Sequence, residues 1–293
     1  MSGTANKPIQ TILPVGLLVQ NFFALVPIAV KSTSADPLSI AVIRLLITVF
    51  CLSFFTRDFF RYLKQDFVAF LTLGSCFALH WYTYFTAVKL GSPSIALLGL
   101  SSYGIFVNIY ALIFLKERFS PVTLGAVIVS IFGVYLVASG STSSDSKALL
   151  VAIFSASVYG LLPILHKKNL SIPTMVRVQF QFAGALLVFL FFSSNVRFSY
   201  NLNDWIWLLY LAFGGTLLGH GLWVLVTSHS SAFFVSLIYY VNIPLVLMWE
   251  VYFFGKTLSQ IQILGACIMI FAQISLAFRS RFLASGRKVS VND

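Results

Sequence analysis

Ten runs of apolar residues, each about the length of a helix that crosses a lipid bilayer, fill almost the whole chain. Such a helix needs about 20 residues. Segments near 10–30, 37–56, 67–88, 93–115, 121–139, 147–165, 173–193, 205–228, 231–254 and 260–278 supply them. The joints are short, as in KSTSAD, KLGSP, KERFSP and SHSS, so none can hold a soluble domain. The runs are about twice as long as barrel strands and lack their alternation. Of the residues, 59% are hydrophobic and 9% charged, against about 25% charged in a soluble domain. Lipid must therefore be the solvent for most of this surface. The first run has neither a basic leader nor a small-residue cleavage site, and it reads as a span. The predicted fold class is an all-α membrane protein of ten transmembrane helices.

The basic residues set the expected orientation, because cytoplasmic loops collect Lys and Arg. With the N-terminus inside, Lys7, Arg57, Arg61, Lys64, Lys116, Arg118, Lys167, Lys168, Arg279, Arg281, Arg287 and Lys288 lie on the cytoplasmic side. Only Lys31, Lys89, Lys147, Arg197 and Lys256 lie outside. Both termini are thus expected in the cytoplasm. The net charge of +11 reflects topology, not a nucleic-acid surface. Short loops favour a bacterial inner membrane. Cys51, Cys76 and Cys267 show no metal-binding spacing and read as small core residues, so no metal or cofactor is expected. The expected partners are lipid and a small-molecule substrate, the chain acting as a monomer or weak dimer.

The chain also repeats itself. A shift of 136 lays Pro27 on Pro163, Lys31 on Lys167 and Pro37 on Pro173. A shift of 140 lays Gly74 on Gly214, His80 on His220, Lys116 on Lys256 and Gly125 on Gly265. Two units follow, 1–140 and 141–293, the second ending in a basic tail. Five spans per unit is an odd number, so the second enters the membrane inverted, as in secondary transporters with a site between the halves.

The polar residues inside the spans mark that site. In FALHWYTYF (77–85), Phe77, His80, Trp81 and Tyr84 share one helical face. Its counterpart carries Thr216, His220, Trp223 and Thr227. Lipid cannot satisfy imidazole nitrogens, so both stripes should face the interior. They read as a cavity wall, or else each histidine bonds a neighbouring backbone. Arg44 lies seven residues into the second span and needs a substrate anion, an ion partner such as Glu250, or an outward reach to the surface. Arg177, one turn into its span, is expected to snorkel towards lipid headgroups. Glu250 is an acidic residue inside a span. It is either a proton-coupling site or a static partner of Arg44 or Lys256. Tyr239 and Asn242 share its broad face. Asn21, Ser102, Tyr159 and Gln181 read as interhelical hydrogen bonds. Gly125 and Gly133 are expected to permit close helix packing.

FLKERFSPVTLGAVIVSIFGVYLVASG (114–140) resembles the end of the first repeat of the drug/metabolite transporter superfamily, EamA type. YYVNIPLVLMWEVYFFGKTLSQIQILGACIMIFAQISLA (239–277) resembles the end of its second, and ADPLSIAVIRLLIT (35–48) its second helix. Where that family usually has a proline in the fourth helix, this chain reads SSYGIF; the second repeat keeps Pro244. The resemblance implies two inverted five-helix repeats around a central cavity. It also implies that the fourth helix of each repeat lines the cavity, which adds Tyr103 and Asn108 to the expected substrate-binding residues. The function implied is secondary transport of amino acids, other metabolites or drugs by alternating access, proton-coupled or by exchange. The alternative is an intramembrane enzyme or sensor with a buried polar site, but the chain carries no GxSG, HExxH or DDxxD motif.

Overall fold

A computed structural model describes residues 9–116, 121–139, 146–192 and 195–255, and then 259–261, 263–265, 267, 268 and 271. It is all-α. Helix α1 spans Ile9–Ser32, α2 Pro37–Ser53, the short α3 Phe59–Gln65, and α4 Phe67–Leu90. The next run is broken into α5 (Pro93–Leu100) and α6 (Tyr103–Leu115), and α7 covers Pro121–Ser139. In the second half come α8 (Ser146–Lys168) and α9 (Thr174–Leu190). One long helical run follows, made of α10 (Leu202–Tyr210), a π-helical segment (Leu211–His220) and α11 (Gly221–Ser228). Another broken pair closes the description, α12 (Ala232–Tyr240) and α13 (Asn242–Phe254). The tenth predicted span, 260–278, is described only at scattered positions up to 271. Among the described residues four helical runs, Ile12–Ser32, Pro93–Leu115, Ser146–Lys168 and Leu202–Ser228, are long and apolar enough to cross a membrane, and three shorter apolar helices accompany them.

The outside of the bundle is as apolar as its inside. Phe55 is 74% exposed, Phe191 80% and Tyr252 75%, which only a lipid surround makes economical. The centre is held by α4, which packs against both α8 and α9. Gly74 and Gly184 let α4 and α9 meet backbone to backbone, since a Cβ on Gly74 would lie 2.4 Å from the Gly184 main chain. By contrast α7 packs on α5 and leaves Phe132 and Tyr135 exposed. Among the described residues the close contact expected at Gly125 is absent, for this glycine is exposed with nothing within 4 Å of its Cβ position. The small residue faces away from the bundle.

The two broken helices have different causes. At the first, Ser101 and Ser102 turn their hydroxyls back onto the carbonyls of Leu98 (2.6 Å) and Gly99 (2.7 Å). Such back-bonding competes with the helix ladder and bends it. At the second, Pro244 lacks the N–H that would reach Tyr240, and its ring crowds that carbonyl. The chain turns at Val241, 140 residues after Ser101, the same offset that aligns the two histidine stripes.

Candidate functional site

Near these breaks lies a cavity lined by Phe23 and Val26 of α1, His80, Trp81, Tyr84 and Phe85 of α4, and Leu100 of α5. From the second half come Tyr159 of α8, His220 of the π-helical segment, Tyr239 of α12 and Asn242 of α13. The void at its centre is about 30 Å³, room for a water molecule or two. Aromatic rings close it. His80 stacks between Tyr159 (4.2 Å, 13°) and Tyr84 (5.9 Å, 16°). Tyr103 extends the cluster, 4.7 Å from both Tyr159 and Tyr239. His220 meets Phe23 at 4.7 Å, Phe77 at 4.8 Å and Trp81 at 5.6 Å.

The hydrogen bonds fix what the wall can offer. Nδ1 of His80 lies 2.8 Å from Ser155 Oγ and 3.3 Å from the Ser155 carbonyl. That serine hydroxyl itself donates to the His80 carbonyl at 2.8 Å. Both neighbours of Nδ1 can therefore only accept from it, so Nδ1 carries the proton. In the neutral ring Nε2 is then an acceptor. Asn242 donates Nδ2 to the Gln20 carbonyl at 3.1 Å, which leaves its Oδ1 as an acceptor on the cavity wall. Around the same rings the indole of Trp223 and the hydroxyls of Tyr103 and Tyr159 are buried together, with Trp223 the hydrogen-bonding neighbour of both tyrosines.

Arg44 stands at the edge of this wall and is fully buried. Its Cζ lies 4.0 Å from the Trp81 ring centroid and 5.1 Å from that of Phe85. The π-helical segment is what receives it. The wider turn turns the Leu211 and Ala212 carbonyls towards α2, where Arg44 Nε reaches Leu211 O (3.1 Å) and Thr216 Oγ1 (3.0 Å). Thr48 Oγ1 reaches Ala212 O (3.1 Å). Gly215 keeps room for the guanidinium, as a Cβ there would lie 3.2 Å from Nη2. Both terminal nitrogens, Nη1 and Nη2, are buried and without a hydrogen-bond partner.

The cavity thus gathers His80, Trp81, Tyr84, His220, Tyr239 and Asn242. Tyr103 and Trp223 stand one ring further out, Trp223 being 6.2 Å from Tyr239. Asn108 is buried below the break and donates to the Gly104 carbonyl at 2.6 Å. Glu250 is buried on α13, which packs on α1 and α5, whereas Arg44 faces the π-helical segment. Lys256, its other expected partner, lies outside the described residues. Phe23 and Phe85 gave no signal in a chain this rich in phenylalanine. Tyr159 could have been placed by its spacing, one turn beyond Ser155.

Arg177 does not snorkel. It is buried, and donates to the carbonyls of His166 (2.8 Å) and Ile172 (3.0 Å), to Ser228 Oγ (2.9 Å) and to Thr174 Oγ1 (3.0 Å). It ties the end of α8 to α9 and α11, where unpaired helix carbonyls favour a cation.

The opposite end of the bundle carries a bridge between the halves. Asp204 accepts from Thr33 Oγ1 (3.0 Å), Ser34 N (2.7 Å) and Ser34 Oγ (2.7 Å). Asp36 caps α2 through Leu38 N and Ser39 N, and Ser39 Oγ accepts from Arg197 N at 3.0 Å. Lys31 donates to the Gly91 carbonyl at 2.7 Å and Lys89 to that of Thr33. Burial and the neighbouring Lys31 ammonium pull the Lys89 ammonium below its ordinary pKa.

The profile of the EamA-like transporter family matches residues 11–139 and, a second time, 144–278. The chain belongs to this family. It is a multi-pass integral membrane transporter of small molecules. A solved crystal structure superposes on 94% of this chain and 99% of its own with a TM-score of 0.76, at 15% identity, a likeness of fold alone. No curated protein matches the sequence. Among the described residues no cluster of His, Cys, Asp or Glu could hold a metal.

Proposed function

We propose that this EamA-like chain is a secondary transporter working by alternating access. Its ten helices form two inverted five-helix repeats, 1–140 and 141–293, around the aromatic cavity. The observation that carries the reading is the wall of that cavity, drawn from corresponding helices of both halves. The double family match and the breaks 140 residues apart support the repeat. The substrate-binding residues are His80, Trp81, Tyr84, Tyr103, His220, Trp223, Tyr239, Asn242 and Arg44. Asn108 supports the lower helix, and Glu250 serves as a proton-coupling group or ion partner. In this conformation rings narrow the centre and the Asp204 bridge ties the halves at one end. The positive-inside rule favours cytoplasmic termini and the short loops a bacterial inner membrane, with the chain acting as a monomer or weak dimer. The solutes are amino acids or related small metabolites, or drugs of similar size.

Proteoliposomes test this. A screen of radiolabelled amino acids and related metabolites should yield saturable uptake with counterflow for at least one. Chemical turnover of a solute without gradient-dependent uptake would instead support the enzyme reading.

A further inference from the structure

We infer that Arg44 is the substrate's anion anchor, and that the solute is a small carboxylate whose apolar body lies on the aromatic wall; this rests on the central cavity being the transport site. A guanidinium buried in a membrane protein needs compensating charge or hydrogen bonds. Arg44 receives them on one side only. Its Nε is held by Leu211 O and Thr216 Oγ1, which fixes the orientation of the planar group. Its Nη1 and Nη2 have no partner. Those two parallel donors are the pair that a carboxylate bridges with both oxygens. Arg44 lies behind Trp81 and Phe85 of the cavity wall, and among the described residues no Asp or Glu lines that cavity or bonds the guanidinium.

The position suits capture. Arg44 is eight residues along α2 from Asp36, so it lies about 12 Å below the bridged end, between that end and the rings. Its guanidinium rests over Trp81 and Phe85, which also line the cavity. A solute entering when the Asp204 bridge opens meets this cation first and the rings next. One unopposed positive charge matches a monoanion better than a phosphate dianion. The acceptors His80 Nε2 and Asn242 Oδ1 remain for an N–H or O–H of the same solute.

The test uses the full-length protein purified in detergent, with melting temperature as the readout. The probes are benzoate, phenylacetate and butyrate, their matched amides, and benzylamine. Acids should stabilise saturably, and each amide should bind about tenfold or more weakly, the loss expected for a charge-assisted contact. Arg44→Gln should abolish the preference for acid over amide while the protein stays monodisperse. Arg44→Lys should keep a reduced preference, because it retains charge without the fork. Amides or benzylamine equalling the acids, or an undiminished preference in Arg44→Gln, overturns the anchor and leaves the central site standing. If none of the probes stabilises the wild type, the anchor falls; if the proteoliposome screen also finds no uptake, the transport reading falls with it. Should Arg44→Gln fail to fold, the wild-type comparison of acids with amides decides alone.

Discussion

Replacing Asp204 by alanine should unfasten one end of the bundle. The carboxylate accepts from Thr33 Oγ1, Ser34 N and Ser34 Oγ, and no other described group bonds all three. Each bond to a charged acceptor contributes about 1.5–3 kcal/mol. Water can re-solvate the freed turn at the bundle end, so about 1 kcal/mol per bond is the better working value. The sum, about 3 kcal/mol, changes the ratio of closed to open forms by about a hundredfold. Asparagine keeps one carbonyl oxygen but loses the charge and one acceptor, so about tenfold is expected. The assay introduces Leu100→Cys on the cavity wall after Cys51, Cys76 and Cys267 are changed to serine. A membrane-impermeant thiol reagent is then added from the side of the 33–36 turn. Its rate should rise about a hundredfold in Asp204→Ala and about tenfold in Asp204→Asn. A control cysteine at Val224, towards the Arg177 end, should not speed up. Unchanged rates at Leu100→Cys would refute the bridge as a gate. Equal acceleration at both positions would show general loosening instead.

Two glycines of α4 and α7 should respond oppositely to alanine: Gly74→Ala forces a Cβ to 2.4 Å from Gly184 and should cost about 1–3 kcal/mol or more, while Gly125→Ala meets nothing and should be neutral or gain up to about 1 kcal/mol, both read as melting temperature. Arg177→Met takes a charged donor from the buried Ile172 carbonyl and another from the His166 carbonyl, which keeps only the Asn169 N–H, and should destabilise the protein by about 2–4 kcal/mol, without changing solute preference in those molecules that fold. Alanine at Trp81, Tyr84, Tyr103 or Trp223 should raise the KM for uptake or broaden selectivity, and four unchanged profiles would move the site elsewhere. Glu250→Gln should abolish uptake driven by a pH gradient yet spare solute exchange if Glu250 carries the proton; a loss of stability with unaltered pH dependence marks a static partner.

Much of the fold could be read from apolar run lengths, because a lipid-spanning helix has a fixed length and few other ways to satisfy its backbone. The stripe Phe77, His80, Trp81 and Tyr84 is buried together, as helical spacing demanded. What escaped were features decided by neighbours. The π-helical segment carries a sequence, LAFGGTLLGH, whose aligned first-half counterpart is ordinary α-helix, and Arg44 and Thr48 of α2 fill its opened turns. Arg177 looked exposed by its distance from the span end, yet the carbonyls at the end of α8 gave it better partners than headgroups would. Asp204 sat in a loop-like stretch, and its bonds to residues some 170 positions away leave no local trace.

The two helix breaks differ in whether they can be undone. The first is held by two serine hydroxyls, each bond worth about 1 kcal/mol, and a rotation of each side chain releases it. The second is written into a ring of the backbone at Pro244, and no rotation restores the missing N–H. In the proposed cycle the first break is therefore the one that side-chain rotation can release, and the second is not. The two corresponding helices then differ in stiffness at the same place, and the two faces of that proposed cycle need not share the same resting energy.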